Sequence, residues 1–210
     1  VHRTHRNGYD YAVRQIGASI VEIGDPASGT IRADLEAAIT ERTAAIFWFQ
    51  GAMCTPGDLP LAEVIAVANA HNIPVIVDAA AQLPPVSNLW SFTQMGAALA
   101  VFSGGKDLRG PQSAGLVLGR RDLVEACRLH GSPNAHVGRP MKVGKEEMMG
   151  ILAAVERYLQ LDHDAREVYC EQTVQMWIDA LNGIPGITAA RSFPNEAGQP
   201  LPRCLLRIDG

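Results

Sequence analysis

The residues best placed to do chemistry in this chain stand at the ends of two apolar runs. Pro74-Val75-Ile76-Val77-Asp78 reads as a buried strand ending in a carboxylate, and Val101-Phe102-Ser103-Gly104-Gly105-Lys106 as a second strand ending in a small-residue loop and a lysine. Ligands of open α/β sheets bind at the carboxyl ends of the strands, so an acid and a lysine at two such ends can face one cleft. That pair suits pyridoxal 5'-phosphate. The lysine forms a Schiff base with the aldehyde, and the carboxylate keeps the pyridine nitrogen protonated so that the ring can draw electrons from an amino acid's α-carbon. Ser103 precedes Lys106 by three residues, where its hydroxyl can hydrogen-bond a phosphate, and Gly104-Gly105 would let backbone pass close to a ligand. Taken singly, Asp78 reads as a cap and Lys106 as a solvated charge. It is the combination that points to the cofactor.

The elements that must position these residues alternate along the chain. From Tyr9 to Arg121, helix-like and strand-like segments succeed one another, the pattern of a mainly parallel sheet covered by crossover helices, and hence of an α/β fold. Strands are expected at Ser19 to Ile23, Ala44 to Phe49, Ile73 to Val77, Ala98 to Phe102 and Gly115 to Leu118, all short apolar runs as for a sheet buried on both faces. Apolar residues at three and four spacing predict helices over Ile31 to Ile39 and Leu61 to His71. After Arg121 the pattern turns helical, with helices over Asp122 to Leu129, Lys145 to Leu159 and Val168 to Leu181. The turn-rich Asn182-Gly183-Ile184-Pro185-Gly186 then leads into strand-like runs. The expected division is a cofactor-binding large domain over 1–160, its N-terminal part missing, and a linking helix with the start of a smaller α+β C-terminal domain over 161–210, truncated.

Other chemistry is sparser. Gly138-Arg139-Pro140-Met141-Lys142-Val143-Gly144-Lys145 resembles a phosphate loop, but five residues separate its glycines and Glu146 follows the lysine, so the P-loop pattern fails. It reads instead as a basic segment entering a helix whose N-terminal amides add positive potential. Arg109, Arg139, Lys142 and Lys145 are accordingly candidates for binding a substrate carboxylate or phosphate, arginine being better matched to a carboxylate through its planar fork. His2 and His5 are three apart with no third ligand in view, so no metal is expected. Trp48, Trp90 and Trp177 read as core or interface aromatics rather than a nucleic-acid stacking set.

A chain of 210 residues that is 47% hydrophobic can bury one substantial core, and a net charge of -4 without a run of Lys or Arg disfavours nucleic acid and anionic membranes as partners. No stretch is apolar enough to span a bilayer. The four cysteines lie far apart with no C-x-x-C pair, which suggests neither a zinc site nor a disulfide framework and fits a cytoplasmic location.

Three motifs carry a family resemblance: Val77-Asp78-Ala79-Ala80-Ala81-Gln82, Phe102-Ser103-Gly104-Gly105-Lys106 and Gly110-Pro111-Gln112-Ser113-Ala114-Gly115. With them, most of the chain from Thr4-His5-Arg6-Asn7 onward resembles the selenocysteine-synthase-like (L-seryl-tRNA selenium transferase-like) and class V aminotransferase branch of fold-type I pyridoxal-phosphate enzymes. The resemblance implies an aminotransferase-like fold, Asp78 on the pyridine nitrogen, Lys106 as Schiff-base lysine, Ser103 on the phosphate, His5 stacked on the ring, and Gln82 near the phenolic oxygen. Cysteine desulfurases of this fold carry a His before the lysine where Gly105 stands here, which disfavours that activity. The remaining implication is α,β-elimination from a small anionic amino acid with release of ammonia, as in D-glucosaminate-6-phosphate ammonia-lyase. Alternatives are seryl-tRNA selenium transfer, class V transamination, and a silent scaffold in which Asp78 and Lys106 are structural charges. A homodimer or larger homo-oligomer is implied as well.

Overall fold

In the computed structural model, which describes residues 1–209, the alternating apolar runs form one four-stranded sheet. Two short 3-10 turns and a one-turn helix α1 (Tyr11–Arg14) lead to α2 (Arg32–Ala38), β1 (Ile46–Phe49), α3 (Leu61–Ala70), β2 (Val75–Asp78), α4 (Asn88–Met95), β3 (Leu99–Ser103) and β4 (Gly115–Gly119). Strands β1, β2 and β3 are parallel neighbours in chain order, and β4 adds antiparallel to β3. The right-handed crossover logic of βαβ units requires a helix between parallel strands, and α3 and α4 supply it.

The core lies between this sheet and its helices. Val75 and Val77 of β2 are 1% and 0% exposed, and α3 turns Val64, Ile65, Val67 and Ala68 inward against them. Each valine or isoleucine so buried stabilises the fold by about 1.5–3 kcal/mol. Helix α4 was not among the helices expected from the sequence. Only Leu89 and Phe92 of its eight residues are buried, too few to show a helical period, and it stops at Gly96 with φ 109°, where a Cβ would lie 3.1 Å from Ile65 Cγ2.

Two strand expectations need correction. Ser19 to Ile23 forms no strand; Ile23 makes a single parallel bridge to His2, and five apolar-leaning residues without a continuous partner cannot build a ladder. Strand β4 is present, but its residues are exposed or half-buried, Val117 to 39%, so it does not share the two-sided burial of β2. It has β3 on one side and no strand on the other among the described residues.

Beyond the sheet run α5 (Arg121–His130), α6 (Lys145–Gln160) and α7 (His163–Leu181). Helix α6 buries Ile151, Ala154 and Tyr158, a three-and-four-spaced stripe facing the large sheet's core. Helix α7 begins five residues earlier than the apolar pattern suggests because the Asp162 carboxylate caps it, accepting from the Ala165 amide at 2.9 Å. It packs on a separate antiparallel pair, β5 (Ile187–Ser192) and β6 (Arg203–Ile208). The loop joining that pair returns to the large sheet: Gln199 Nε2 donates to the Leu83 carbonyl, and Gln82 Nε2 to that of Ala197.

Candidate active site

Asp78 is the last residue of β2 and Ser103 the last of β3, and these two strands are hydrogen-bonded neighbours with Asp78 opposite Val101. Beyond their ends the chains stay together, since the Ser103 amide donates to the Ala80 carbonyl at 3.4 Å. The carboxyl ends of two parallel strands therefore bring Asp78, Ser103 and the Lys106 turn to one edge of the sheet, the place where open α/β folds bind ligands. Asp78 is half-buried, and its Oδ1 accepts the Ala80 amide at 3.0 Å, which fixes the carboxylate; its Oδ2 has no hydrogen-bond partner among the described residues. Lys106 is exposed and forms no ion pair among the described residues. A carboxylate with a free oxygen and an unpaired amine at adjoining strand ends fit the two polar positions of a pyridoxal cofactor.

The loop that carries Lys106 is packed closely against the segment that follows it. Gly104 and Gly105, read from the sequence as making room for a ligand, make room for the following segment. A Cβ on Gly104 would lie 2.7 Å from the Ala114 oxygen and from Ile151 Cδ1, and one on Gly105 2.6 Å from Gln112 Cα. The Gly110 amide then donates to the Gly104 carbonyl, and the Arg109 amide to that of Lys106 at 2.9 Å, closing the turn. Arg109 adopts φ 55°, a left-handed conformation uncommon for a residue with a side chain.

Asp107, the residue after the lysine, was not singled out in the sequence. Its carboxylate accepts from the Tyr158 hydroxyl of α6 and from Arg166 Nη1 of α7, both at 2.7 Å, and from Arg166 Nη2 on its other oxygen. The Asp107 hydrogen bond holds Arg166 above its ordinary range, and burial, reinforced by Asp107, raises the Tyr158 phenol likewise. No local signal could have revealed this trio, because Asp107 lies more than fifty positions from the other two and a helix break separates those.

His5 and Gln82 are both buried and hydrogen-bonded within the chain. His5 is fully buried, stacked on His2 at 4.8 Å between centroids and edge-on to Trp48 at 4.7 Å. Its Nε2 lies 3.1 Å from Asp58 Oδ2, while His2 Nδ1 lies 3.2 Å from Oδ1. Asp58 is thus the third group that the sequence did not reveal beside the two histidines. It also accepts the Thr4 hydroxyl and the Thr55 amide, so as placed it is a hydrogen-bonded hub. Burial pushes both imidazoles below their usual value. Burial would raise Asp58, but the Thr55 amide and the bonds from His5 and Thr4 outweigh it and hold the carboxyl low. Gln82 is buried, with its amide given to the Ala81 and Ala197 carbonyls at 3.1 and 3.2 Å.

The four basic candidates are not gathered together. Arg109 lines a cleft with Asp107, Arg157, Leu161, Arg166 and Tyr169; Arg139, Lys142 and Lys145 do not. Arg139 donates to the Ser132 hydroxyl at 3.2 Å and is exposed, as are Lys142 and Lys145. The start of α6 also offers less positive potential than its sequence suggests. Glu146 and Glu147 lie in its first turn with carboxylate oxygens close over Gly144, so the helix's own acids occupy the anion-favouring end.

The mainly parallel sheet and its crossover helices form the fold of the aminotransferase-like class of fold-type I pyridoxal-phosphate enzymes. Comparisons narrow the class. The L-seryl-tRNA selenium transferase family matches over residues 11–184, and the chain belongs to that family. It is 36% identical over 196 residues, 92% of this chain and 46% of the relative, to the 5'-C-glycyluridine monooxygenase-decarboxylase of a Streptomyces species. It is 33% identical over 199 residues, 94% of this chain and 50% of the relative, to the D-glucosaminate-6-phosphate ammonia lyase of Salmonella typhimurium. A solved structure of D-glucosaminate-6-phosphate ammonia-lyase superposes with a TM-score of 0.79 at 32% identity, covering 99% of this chain and 54% of that one. The chain spans about half the length of the curated relatives it matches.

Proposed function

We propose that this chain is part of a pyridoxal-phosphate-dependent lyase that removes a β-leaving group and ammonia from a small anionic amino acid. The observation that carries the reading is the placement of Asp78 and Lys106 at the ends of adjoining parallel strands, each with a free polar atom, in a chain of this family. When bound, the cofactor supplies an electron sink for the α-carbon. The residues of the chain do the rest. Lys106 attaches the cofactor and, once released by the incoming amino group, moves the α-proton as general base. Asp78, oriented by the Ala80 amide, keeps a proton on the ring nitrogen by its negative charge. Ser103 offers its hydroxyl to the phosphate from the end of β3. His5 and Gln82 join this set only if they exchange their present partners for cofactor contacts.

Arg109, Arg139, Lys142 and Lys145 are proposed to meet the substrate's anionic groups, the last three across an interface between copies of the chain. Elimination is favoured over seryl-tRNA selenium transfer because tRNA binding draws on many cationic contacts, whereas this chain carries a net charge of -4. No helix of the described residues is long and apolar enough to cross a membrane, and the proposed setting is the cytoplasm.

The test is product analysis on the full-length protein with D-glucosaminate 6-phosphate. Ammonia released without a keto-acid acceptor supports elimination, and a strict requirement for an acceptor would replace it with transamination. A second reading is favoured by the 36% identity to the monooxygenase-decarboxylase. Oxygen uptake and carbon dioxide release from an amino acid in the same assay would select it.

A further inference from the structure

The cleft behind the lysine turn has a charge balance that its own residues leave unsettled. It measures about 230 Å³ and is bounded by the turn, the end of α6 and the start of α7. Against roughly 30 Å³ for a water in the liquid, that admits a phosphate group with part of the molecule bearing it. Three guanidiniums, those of Arg109, Arg157 and Arg166, line it together with the single carboxylate of Asp107. The Arg166 fork is already committed to Asp107. Arg109 and Arg157 have no ion pair among the described residues, so the cleft keeps two positive charges. The Tyr169 ring and Leu161 supply its less polar wall.

The backbone adds a separate observation. Arg109 holds φ 55°, a conformation that a glycine would adopt without strain, yet a long cationic side chain stands there. Non-glycine residues kept in this region cluster at ligand clamps and active sites. The turn that strains Arg109 begins at Lys106, whose carbonyl accepts the Arg109 amide, and the Arg109 side chain is one of those that line the cleft.

We propose that this cleft is a binding site for a phosphate group, with Arg109 and Arg157 as its ligating cations and the Asp107–Arg166 pair as its rigid floor. Two uncompensated guanidiniums match a phosphate dianion better than a single carboxylate, and each guanidinium can offer paired N–H donors to two oxygens. The phosphate comes either from the substrate itself or from free phosphate acting at a separate site. Its assignment to the substrate rests on the lyase reading above; the existence of the site does not.

The experiment titrates inorganic phosphate into the full-length protein after its cofactor has been fixed by borohydride reduction, so that the cofactor's own phosphate position is filled. Calorimetry is run on the natural protein and on the Arg157→Gln and Arg109→Gly variants. Arg157 is exposed, and the glycine variant relieves the left-handed backbone, so both are expected to keep the fold, checked by circular dichroism. Saturable binding that weakens by about ten-fold or more in each variant, the loss expected for a charged hydrogen bond, supports the site. Competition by D-glucosaminate 6-phosphate assigns it to the substrate's phosphate, and independent binding assigns it to free phosphate. An absence of saturable binding, or equal binding in natural and variant proteins, overturns the proposal. If no cofactor attaches, the lyase reading is what fails, and the same titration of the unmodified protein still reads the cleft through Arg157.

Discussion

The carboxylate of Asp107 meets the guanidinium fork of Arg166, so the residue that follows Lys106 is tied directly to α7. The two side chains are 9% and 18% exposed, which removes most of the solvent screening that makes surface pairs weak. Arg166→Gln leaves the Asp107 carboxylate with only the Tyr158 hydroxyl, and should destabilise the protein by about 2–3 kcal/mol. Urea denaturation checks this, and an unchanged midpoint would show that the pair is not structural.

The packing of the loop is tested at Gly104. An added methyl meets the Ala114 oxygen and Ile151 Cδ1 at 2.7 Å, and neither the hydrogen-bonded Ala114 backbone nor the buried isoleucine can yield freely. Gly104→Ala should cost about 1–3 kcal/mol through overpacking, and should lower cofactor affinity by displacing the lysine turn. Thermal unfolding and a cofactor titration measure the two effects separately.

Stability should fall as the pH is lowered through the imidazole range. Burial depresses His2 and His5 below 6.5, so the unfolded chain takes up protons at pH values where the folded one still refuses them. Their contribution is complete above pH 6.5 and is lost progressively below it. Asp58 acts with the same sign at lower pH, since its folded carboxyl is held below 3.8 and protonation there favours unfolding. Urea midpoints measured between pH 8 and pH 5 should decline, and His5→Gln should flatten the decline; a midpoint constant over that range would contradict the burial of neutral imidazoles.

The strands that carry Asp78 and lead to Lys106 were legible because buried parallel strands read as short apolar runs, and β1, β2 and β3 fall where those runs do. The run at Ser19 to Ile23 looked the same but has no ladder partner beyond one bridge, and a lone sequence does not say which runs will pair. Gly104 and Gly105 were noticed for a ligand, and their contacts with Gln112 and Ala114, set by the tertiary fold, could not be read from the sequence. Asp107, Tyr158, Arg166 and Asp58 stayed hidden for the same reason: each acts on residues more than fifty positions away, through geometry that no spacing encodes.

Asp78→Asn removes the charge proposed to hold a proton on the ring nitrogen while keeping the Ala80 hydrogen bond. Turnover should fall by about 10²–10³-fold, the range for losing a preorganised electrostatic contact, with little change in thermal stability because the residue is only half-buried. Steady-state kinetics on the folded variant decide it, and full activity would remove Asp78 from the mechanism.

The central claim is that Lys106 carries the cofactor, and it is tested most directly by incubating the full-length protein with pyridoxal phosphate, reducing with borohydride and mapping the labelled peptide. A single label on Lys106, lost in Lys106→Ala, is the expected result. A label on another lysine, or none on a folded full-length protein, would contradict the assignment and leave the Asp78–Lys106 edge of the sheet as a structural feature only.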